Sequence, residues 1–383
     1  MDIAELLLLT LERKASDLHI TVGLSPSIRV HGDIEPLPLP VLTRDDTHTL
    51  VHGIMNDAQK ARFEGKRDID FSLDFGEAGR FRVNAFFGRQ GVGAVFRLIP
   101  SRIRSIAELG IPSIVSQMAE FERGLVLVTG PTGSGKSTTL AALVDQINSE
   151  RKGRILTVED PIEFVHAHKA CVVNQREVGA HTESFSTALR AALREDPDVI
   201  LVGEMRDLET ISLAVSAAET GHLVFGTLHT SSAPQTVDRI IDVFPPHQQS
   251  QVRAQLAESI RGVVAQQLIR TIDGTGRAAA LEIMTGTAAV RNLIREGKTY
   301  QLQSVIQTAV KEGMQTLDQS LRDLLRAGRI TLEDALKKVP DKEAFQKLLE
   351  EVQGRRDPAA ADPVGGPNTA SRFNSGMLFG VRR

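Results

Sequence analysis

The residues with the clearest chemical meaning form one short segment, Gly130-Pro131-Thr132-Gly133-Ser134-Gly135-Lys136-Ser137. It fits the pattern G-x-x-x-x-G-K-[S/T], whose glycines let backbone N–H groups wrap the phosphates of a nucleotide. Lys136 can reach the β- and γ-phosphates, and Ser137 can ligate Mg²⁺. The segment, extended to Thr138, therefore predicts a site for ATP and Mg²⁺.

Acidic residues that could complete such a site follow two apolar segments, residues 155–158 and 199–202. Glu204 stands where a Walker B motif carries the acid that holds Mg²⁺ through its water shell, although Gly203 occupies the usual Asp position. The other segment precedes three carboxylates, Glu159, Asp160 and Glu163. One of these could orient or deprotonate the attacking water. The alternative in both places is a solvated charge at the end of a strand.

Two histidines flank a further apolar segment, with His222 at its start and His229 just after it. A histidine beside a phosphate can hydrogen-bond to it or respond to its loss, but a purely structural role is the alternative. A second set could be considered as metal ligands: His166, His168, Cys171 and His181. Their irregular spacing and the single cysteine argue against that interpretation.

The apolar pattern predicts the elements that must hold these residues. Four short runs without alternation are typical of strands buried on both faces: 125–128, 155–158, 199–202 and 223–225. A helix follows the phosphate-binding segment, with apolar residues at the spacing i, i+3, i+4 and i+7: Leu140, Leu143, Val144 and Ile147. Alternating strands and helices predict a parallel sheet covered by helices, with a ligand at the carboxyl ends of the strands.

The flanking regions differ in character. Residues 1–100 predict a small α+β domain, because residues 69–75 and 80–85 alternate between apolar and polar types. The predicted organisation continues with a linker at 101–115, an ATPase core at 116–285, a helical region at 286–353 and a disordered tail at 354–383. Pro, Gly, Ala, Asn and Arg dominate that tail.

Composition excludes several classes of protein. The 383 residues include 45 Lys plus Arg and 48 Asp plus Glu, which argues against a strongly basic nucleic-acid binder. One cysteine excludes an internal disulfide and a multi-cysteine zinc site. The apolar run at residues 6–9 is far shorter than the ~18 residues of a membrane span. Asp2 and Glu5 argue against a signal peptide, so a cytoplasmic protein is expected.

Five separate segments together resemble the bacterial secretion and pilus-motor ATPases: residues 15–19, 130–137, 158–164, 201–207 and 219–230. Two more, Ala289-Val290-Arg291-Asn292-Leu293-Ile294-Arg295-Glu296 and Gly313-Met314-Gln315-Thr316-Leu317-Asp318, are similar to the type IV pilus retraction ATPases of this superfamily. Val290 stands where Ile is usual. The resemblance covers about residues 1–350.

The resemblance implies a PAS-like N-terminal domain joined to a RecA-like ATPase domain, assembled as a hexamer. It implies that Glu163 acts on the water, that Glu204 is the Walker B acid, and that His222 and His229 form a histidine box. It also implies two sets of arginines: Arg82 and Arg97 complete the site, and Arg190, Arg194 and Arg239 lie at subunit interfaces. For Arg82 the alternative is the solvated face of a strand.

The function implied is a Mg-dependent ATPase that drives pilus disassembly at the cytoplasmic side of the inner membrane. Implied partners are copies of itself, the inner-membrane platform protein and a second retraction ATPase, with no nucleic acid. Three alternatives stay open: a pilus-assembly or type II secretion ATPase, a low-turnover accessory subunit, and a RecA-type DNA translocase. Relatives in the first group often carry a four-cysteine zinc module, which Cys171 alone cannot form. A low-turnover accessory subunit would have a damaged nucleotide site, and a DNA translocase would have a basic tract.

Overall fold

The computed structural model describes residues 2–30, 32–76, 79–99, 102–274, 276–339, 342, 343 and 345. Two compact units divide the chain, residues 1–338 and 339–383. The predicted tail at 354–383 and the end of the predicted helical region, 346–353, lie outside the described residues. Among the helices that are described, none combines the length and the apolar character needed to span a membrane.

The N-terminal part of the first unit is an antiparallel sheet with helices on one face. Its strands are β1 (Asp17–Ile20), β2 (Ser27–Val30), β3 (Asp33–Pro36), β4 (Asp68–Asp74), β5 (Arg80–Gly88) and β6 (Gly91–Ile99), in the order β3-β2-β1-β6-β5-β4. Its helices are α1 (Ile3–Glu12), α2 (Arg44–His52) and α3 (Asp57–Lys66). As predicted, alternate residues of β5 face the core: Phe81, Val83 and Ala85 are buried against the helices.

A seven-stranded sheet follows, in the order β13-β12-β7-β11-β10-β8-β9. Its strands are β7 (Gly124–Thr129), β8 (Arg154–Glu159), β9 (Val172–Glu177), β10 (Val199–Val202), β11 (Leu223–Leu228), β12 (Ile260–Arg270) and β13 (Arg277–Thr285). The four predicted strands are β7, β8, β10 and β11, and they pair in parallel. The sheet is thus parallel as predicted across these strands, but at one edge β13, which was not predicted, runs antiparallel to β12. The short connection from β12 to β13 permits only that direction.

Helices cover both faces of this sheet, which confirms the predicted α/β class. They are α4 (Ser113–Gln117), α5 (Lys136–Glu150), α6 (Phe185–Ala192), α7 (Leu208–Thr220), α8 (Ala233–Asp242), α9 (Pro246–Ser259), α10 (Ala288–Arg295), α11 (Leu302–Thr308), α12 (Leu317–Arg326) and α13 (Leu332–Leu336). Successive residues of β7 enter different cores, with Leu125 and Leu127 in one and Val126 and Val128 in the other. A strand buried on both faces explains the run of apolar residues without alternation.

The segment predicted as a linker packs closely on the second sheet's domain. Ile106, Ile111 and Val115 are buried in the same core as Leu140 and Leu143 of α5. The connection between the two sheets is therefore fixed against the domain of the second sheet over most of its length.

Candidate nucleotide site

The phosphate-binding segment lies between the carboxyl end of β7 and the first turn of α5. Gly135 is the N-cap of α5 at φ +87°, and no side chain caps the helix. The backbone N–H groups of the first turn can therefore bind an anion, and the helix dipole favours its negative charge. Gly130 adopts φ +140°, and a Cβ there would overlap the carbonyl oxygen of Gln266 on β12. Only glycine fits this turn, since an L residue is both strained and obstructed.

Two side chains of this segment fit a bound phosphate. The Ser134 hydroxyl oxygen is buried and has no hydrogen-bond partner among the described residues. Lys136 Nζ donates to the carbonyl oxygens of Gly130 at 2.8 Å and Pro131 at 3.2 Å. Burial lowers the pKa of Lys136, while Glu204 and Glu163 act in the opposite direction. A phosphate would give the hydroxyl its partner and the ammonium a stronger one.

A cleft of about 540 Å³ opens above this segment. The residues that line it include Thr132, Gly133, Ser134, Gly135, Lys136, Ser137, Thr138, Arg82, Arg97, Glu159, Asp160, Glu163, Glu204, Arg206 and His229. The cleft thus collects residues from both sheets, and it contains most of the side chains that the sequence singles out.

Glu204 lies just beyond β10 and has two cationic or hydrogen-bonding neighbours. His229 Nε2 is 2.9 Å from Glu204 Oε1, and Arg206 Nε donates to the same oxygen. Burial alone would raise the pKa of Glu204, but Arg206 and His229 together bring it below its ordinary value. The carboxylate is therefore ionised at neutral pH, as an acid that holds a hydrated Mg²⁺ must be.

Glu163 enters the cleft from the loop after β8. Its carboxylate oxygen Oε1 is 3.9 Å from Arg82 Nη1, and the Arg82 side chain is also 3.8 Å from Asp70. The Glu163 backbone N–H donates to Glu159 Oε2 at 3.4 Å. Glu159 is buried, and burial raises its pKa despite hydrogen bonds from Thr157 and other donors. Arg82 thus faces the cleft rather than bulk solvent alone, and Glu159 supports the loop that presents Glu163.

The N-terminal sheet is fixed to this loop by a buried ion pair. Arg80 Nη2 is 3.2 Å from Glu177 Oε2, and the Ser72 hydroxyl donates to the same oxygen at 2.9 Å. Glu177 Oε2 also accepts from the backbone N–H of Ile162, next to Glu163, at 3.1 Å. Arg97 is held separately, with its Nε 2.9 Å from Asp17 Oδ1. The first set of contacts holds β5, the strand that carries Arg82, and the last one holds Arg97 directly.

Some predicted site residues are not in the cleft. His222 lies at the amino end of β11, and its Nδ1 is 3.0 Å from the carbonyl oxygen of Ala217. Because β11 pairs in parallel with β7, His222 is at the end of the sheet opposite the phosphate segment. His222 therefore does not lie beside the phosphate segment of its own chain, and its role in phosphate chemistry stays a prediction. Arg190, Arg194 and Arg239 are exposed and also lie outside the cleft lining.

The structure adds site residues that the sequence reasoning missed. Arg206 lines the cleft and follows Glu204 by only two residues, so its closeness to the acid was the available signal. Gln266 accepts a hydrogen bond from the Thr139 hydroxyl at 2.8 Å and packs beneath the phosphate segment. Nothing in the sequence pointed to Gln266, because strand β12, which carries it, was not predicted.

Comparison with known proteins identifies relatives of the chain. The family model "Type II/IV secretion system protein" matches residues 2–338. The type IV pilus retraction ATPase PilT of Pseudomonas aeruginosa is 56% identical over 345 residues, which are 90% of this chain and 100% of that protein. A twitching motility protein of Neisseria gonorrhoeae is 54% identical over 321 residues, or 84% of this chain and 86% of that protein.

A solved structure of a related protein has a similar fold. The crystal structure of the pilus retraction motor PilT with bound ADP superposes with a TM-score of 0.84 at 47% identity, covering 91% of this chain and 99% of that one. This match confirms the predicted architecture, a RecA-like P-loop ATPase domain with a smaller PAS-like domain. The chain therefore belongs to the Type II/IV secretion system protein family, together with the pilus retraction ATPases that it matches.

Proposed function

We propose that this chain is a hexameric motor ATPase whose ATP hydrolysis drives disassembly and retraction of type IV pili. One observation carries the proposal. A single cleft holds the phosphate segment, an ionised Glu204 and Glu163, in a chain 56% identical to a pilus retraction ATPase over 90% of its length. The acids and the lysine that turnover needs are all present, which disfavours a low-turnover accessory subunit.

Each part of the cleft has a chemical task in this proposal. Residues 130–138 bind the phosphates, and Lys136 balances their charge. Ser137 and Glu204 would hold Mg²⁺, which supplies electrophilic stabilisation of the phosphate oxygens. Glu163 orients the attacking water, and His229 positions the carboxylate of Glu204. Arg82 and Arg97 offer positive charge where negative charge develops on the transferred phosphoryl group.

The motor function follows from where these groups come from. Arg82 and Arg97 belong to the N-terminal sheet, whereas the phosphate segment and the acids belong to the second sheet. ATP bound between them attracts the arginines, and loss of the γ-phosphate weakens that attraction, so chemistry changes the separation of the sheets. The exposed Arg190, Arg194 and Arg239 are available for contacts between copies. The inner-membrane platform protein, at the cytoplasmic side, would receive the motion, and a second retraction ATPase is a further candidate partner.

The test uses a host strain whose only copy carries Lys136→Ala. We expect more surface pili than in the parent and no retraction, measured by counting pili and filming them, because assembly continues while the motor cannot bind its fuel. Lys152→Ala is the matched control, since Lys152 is exposed and outside the cleft lining. Loss of pili would assign the protein to assembly instead. Normal pili that retract normally would mean an accessory role or a different machine.

A further inference from the structure

A cluster of metal-binding side chains lies on the N-terminal domain, outside the nucleotide cleft. His48 and His52 are one helical turn apart on α2, and Glu64 is on α3. One ligand atom from each of the three lies within 4.8 Å of the others. No part of the nucleotide chemistry uses these residues.

The cluster is on the face of the N-terminal sheet that carries the helices. Leu50 of α2 and Phe63 of α3 are buried in one core with Phe96 of β6. Arg97, the next residue along β6, lines the nucleotide cleft. Because neighbouring residues of a strand point to opposite faces, the cluster and the cleft are on opposite sides of the sheet. A ligand here would not compete with ATP.

His52 is the fixed member of the cluster. Its side chain is only 16% exposed, and its ring packs against Phe63 at 5.6 Å and against His48 at 3.9 Å between centroids. Its buried Nε2 atom is 3.3 Å from Glu64 Oε1, and it makes no hydrogen bond of acceptable geometry within the described part of the chain. Two ligands of a tetrahedral Zn²⁺ ion stand about 3.3 Å apart at ordinary Zn–N and Zn–O bond lengths of ~2.0 Å.

The two oxygens of Glu64 face different neighbours. Arg67 Nη1 is 3.8 Å from Oε2, while Oε1 faces His52. A metal ion could therefore take Oε1 while Arg67 keeps its ion pair with the other oxygen. His48 and Glu64 are exposed, so an ion can enter from solvent without unfolding the domain.

We propose that His48, His52 and Glu64 form a binding site for a divalent transition metal ion of the Zn²⁺ class, linking α2 to α3. Imidazole and carboxylate are ligands that Zn²⁺ accepts readily, and three protein ligands leave a fourth position for water. Mg²⁺ prefers an all-oxygen shell and would not compete here. Bound metal holds α3 to α2 and stabilises the N-terminal domain.

The experiment titrates Zn²⁺ into the full untagged chain, freed of metal by chelation, in excess Mg²⁺ and without nucleotide. Calorimetry should show one tight site per chain, and Co²⁺ should give the visible absorption of a tetrahedral complex. Zn²⁺ should also raise the melting temperature. His48→Gln and Glu64→Gln should each weaken binding by more than about 100-fold, because loss of even a group that only hydrogen-bonds to a metal ligand costs 10–100-fold.

His247→Gln is the matched control, an exposed histidine on α9 that should leave the tight site intact. Because His48 and Glu64 are exposed, their variants should melt at the wild-type temperature without metal, which separates loss of the site from loss of the fold. Absence of a saturable site in the wild-type chain would overturn the proposal. Equal binding by the wild type and either ligand variant would overturn it as well.

Discussion

At the scale of single residues, the acids of the cleft differ in pKa and in role because their surroundings differ. Glu204 is ionised because Arg206 and His229 outweigh its burial. Glu159 is buried more completely, and burial raises its pKa although it accepts hydrogen bonds. Glu159 is therefore suited to supporting the loop after β8, whereas Glu204 presents an ionised carboxylate to the cleft. Each of these acids lies at or just after the carboxyl end of a strand, so sequence position alone does not distinguish their roles and their environments do.

This assignment predicts that Glu204→Ala and Glu163→Gln spare ATP binding and reduce hydrolysis. Binding persists because residues 130–138 hold the phosphates, and hydrolysis should fall by about 100-fold if either group positions or activates the water. Steady-state turnover and equilibrium ATP affinity, measured on the same preparations, separate the two effects. Glu122→Gln serves as the control, since Glu122 is exposed and outside the cleft lining. Wild-type turnover in either variant would remove that residue from the mechanism.

At the scale of elements, the phosphate segment depends on a neighbouring strand as well as on its own glycines. Gly130 lies against the backbone of β12, and Thr139 of α5 donates to Gln266 on the same strand. Gly133 shares a positive φ, +78°, but a Cβ there would meet no atom within 4 Å. Two glycines of one motif thus serve different purposes, one for close approach and one for chain direction.

The contrast predicts unequal effects of alanine at the two positions. Gly133→Ala should cost only the backbone strain, about 1–2 kcal/mol, and keep measurable ATP binding. Gly130→Ala adds a steric overlap that forces the segment away from β12, so we expect at least tenfold weaker ATP binding than in Gly133→Ala and a lower melting temperature. Nucleotide affinity and thermal unfolding of both variants test this. Equal losses in the two would show that contact with β12 does not shape the segment.

The sequence predicts some elements well for a physical reason. Strands β7 and β10 are buried on both faces, so uninterrupted apolar runs mark them. Strand β12 contains Gln266 and Gln267, and its pairing with β7 shifts register between Ile260 and Gly262. Its apolar run is therefore interrupted, and the sequence does not predict it as a buried strand. His222 shows the other limit. Its type and neighbours suit phosphate chemistry, but the direction of β11 in the sheet, which only long-range pairing sets, places it at the far end.

At the scale of the whole molecule, one chain already brings arginines from its N-terminal sheet to its own phosphate segment. Arg82 is 3.9 Å from Glu163, and the ion pair of Arg80 with Glu177 holds the same strand, β5, close to the loop that carries Glu163. The position of the N-terminal domain is therefore coupled to the residues that act on ATP. Arg194, by contrast, is exposed and outside the cleft lining, so in a ring of copies it is available to a neighbouring site.

Mixed rings distinguish these two kinds of arginine. Arg82→Ala mixed with Glu204→Ala should stay inactive at every ratio, because each chain would lack one component of its own cleft. Arg194→Ala mixed with Glu204→Ala should recover part of the ATPase activity, because an intact cleft can then receive the arginine of an adjacent Glu204→Ala chain. Turnover measured across the mixing ratio, with each variant alone as the baseline, decides between them. Recovery with Arg82→Ala would mean that the N-terminal domain acts on a neighbour, and failure with Arg194→Ala would remove that arginine from the shared site.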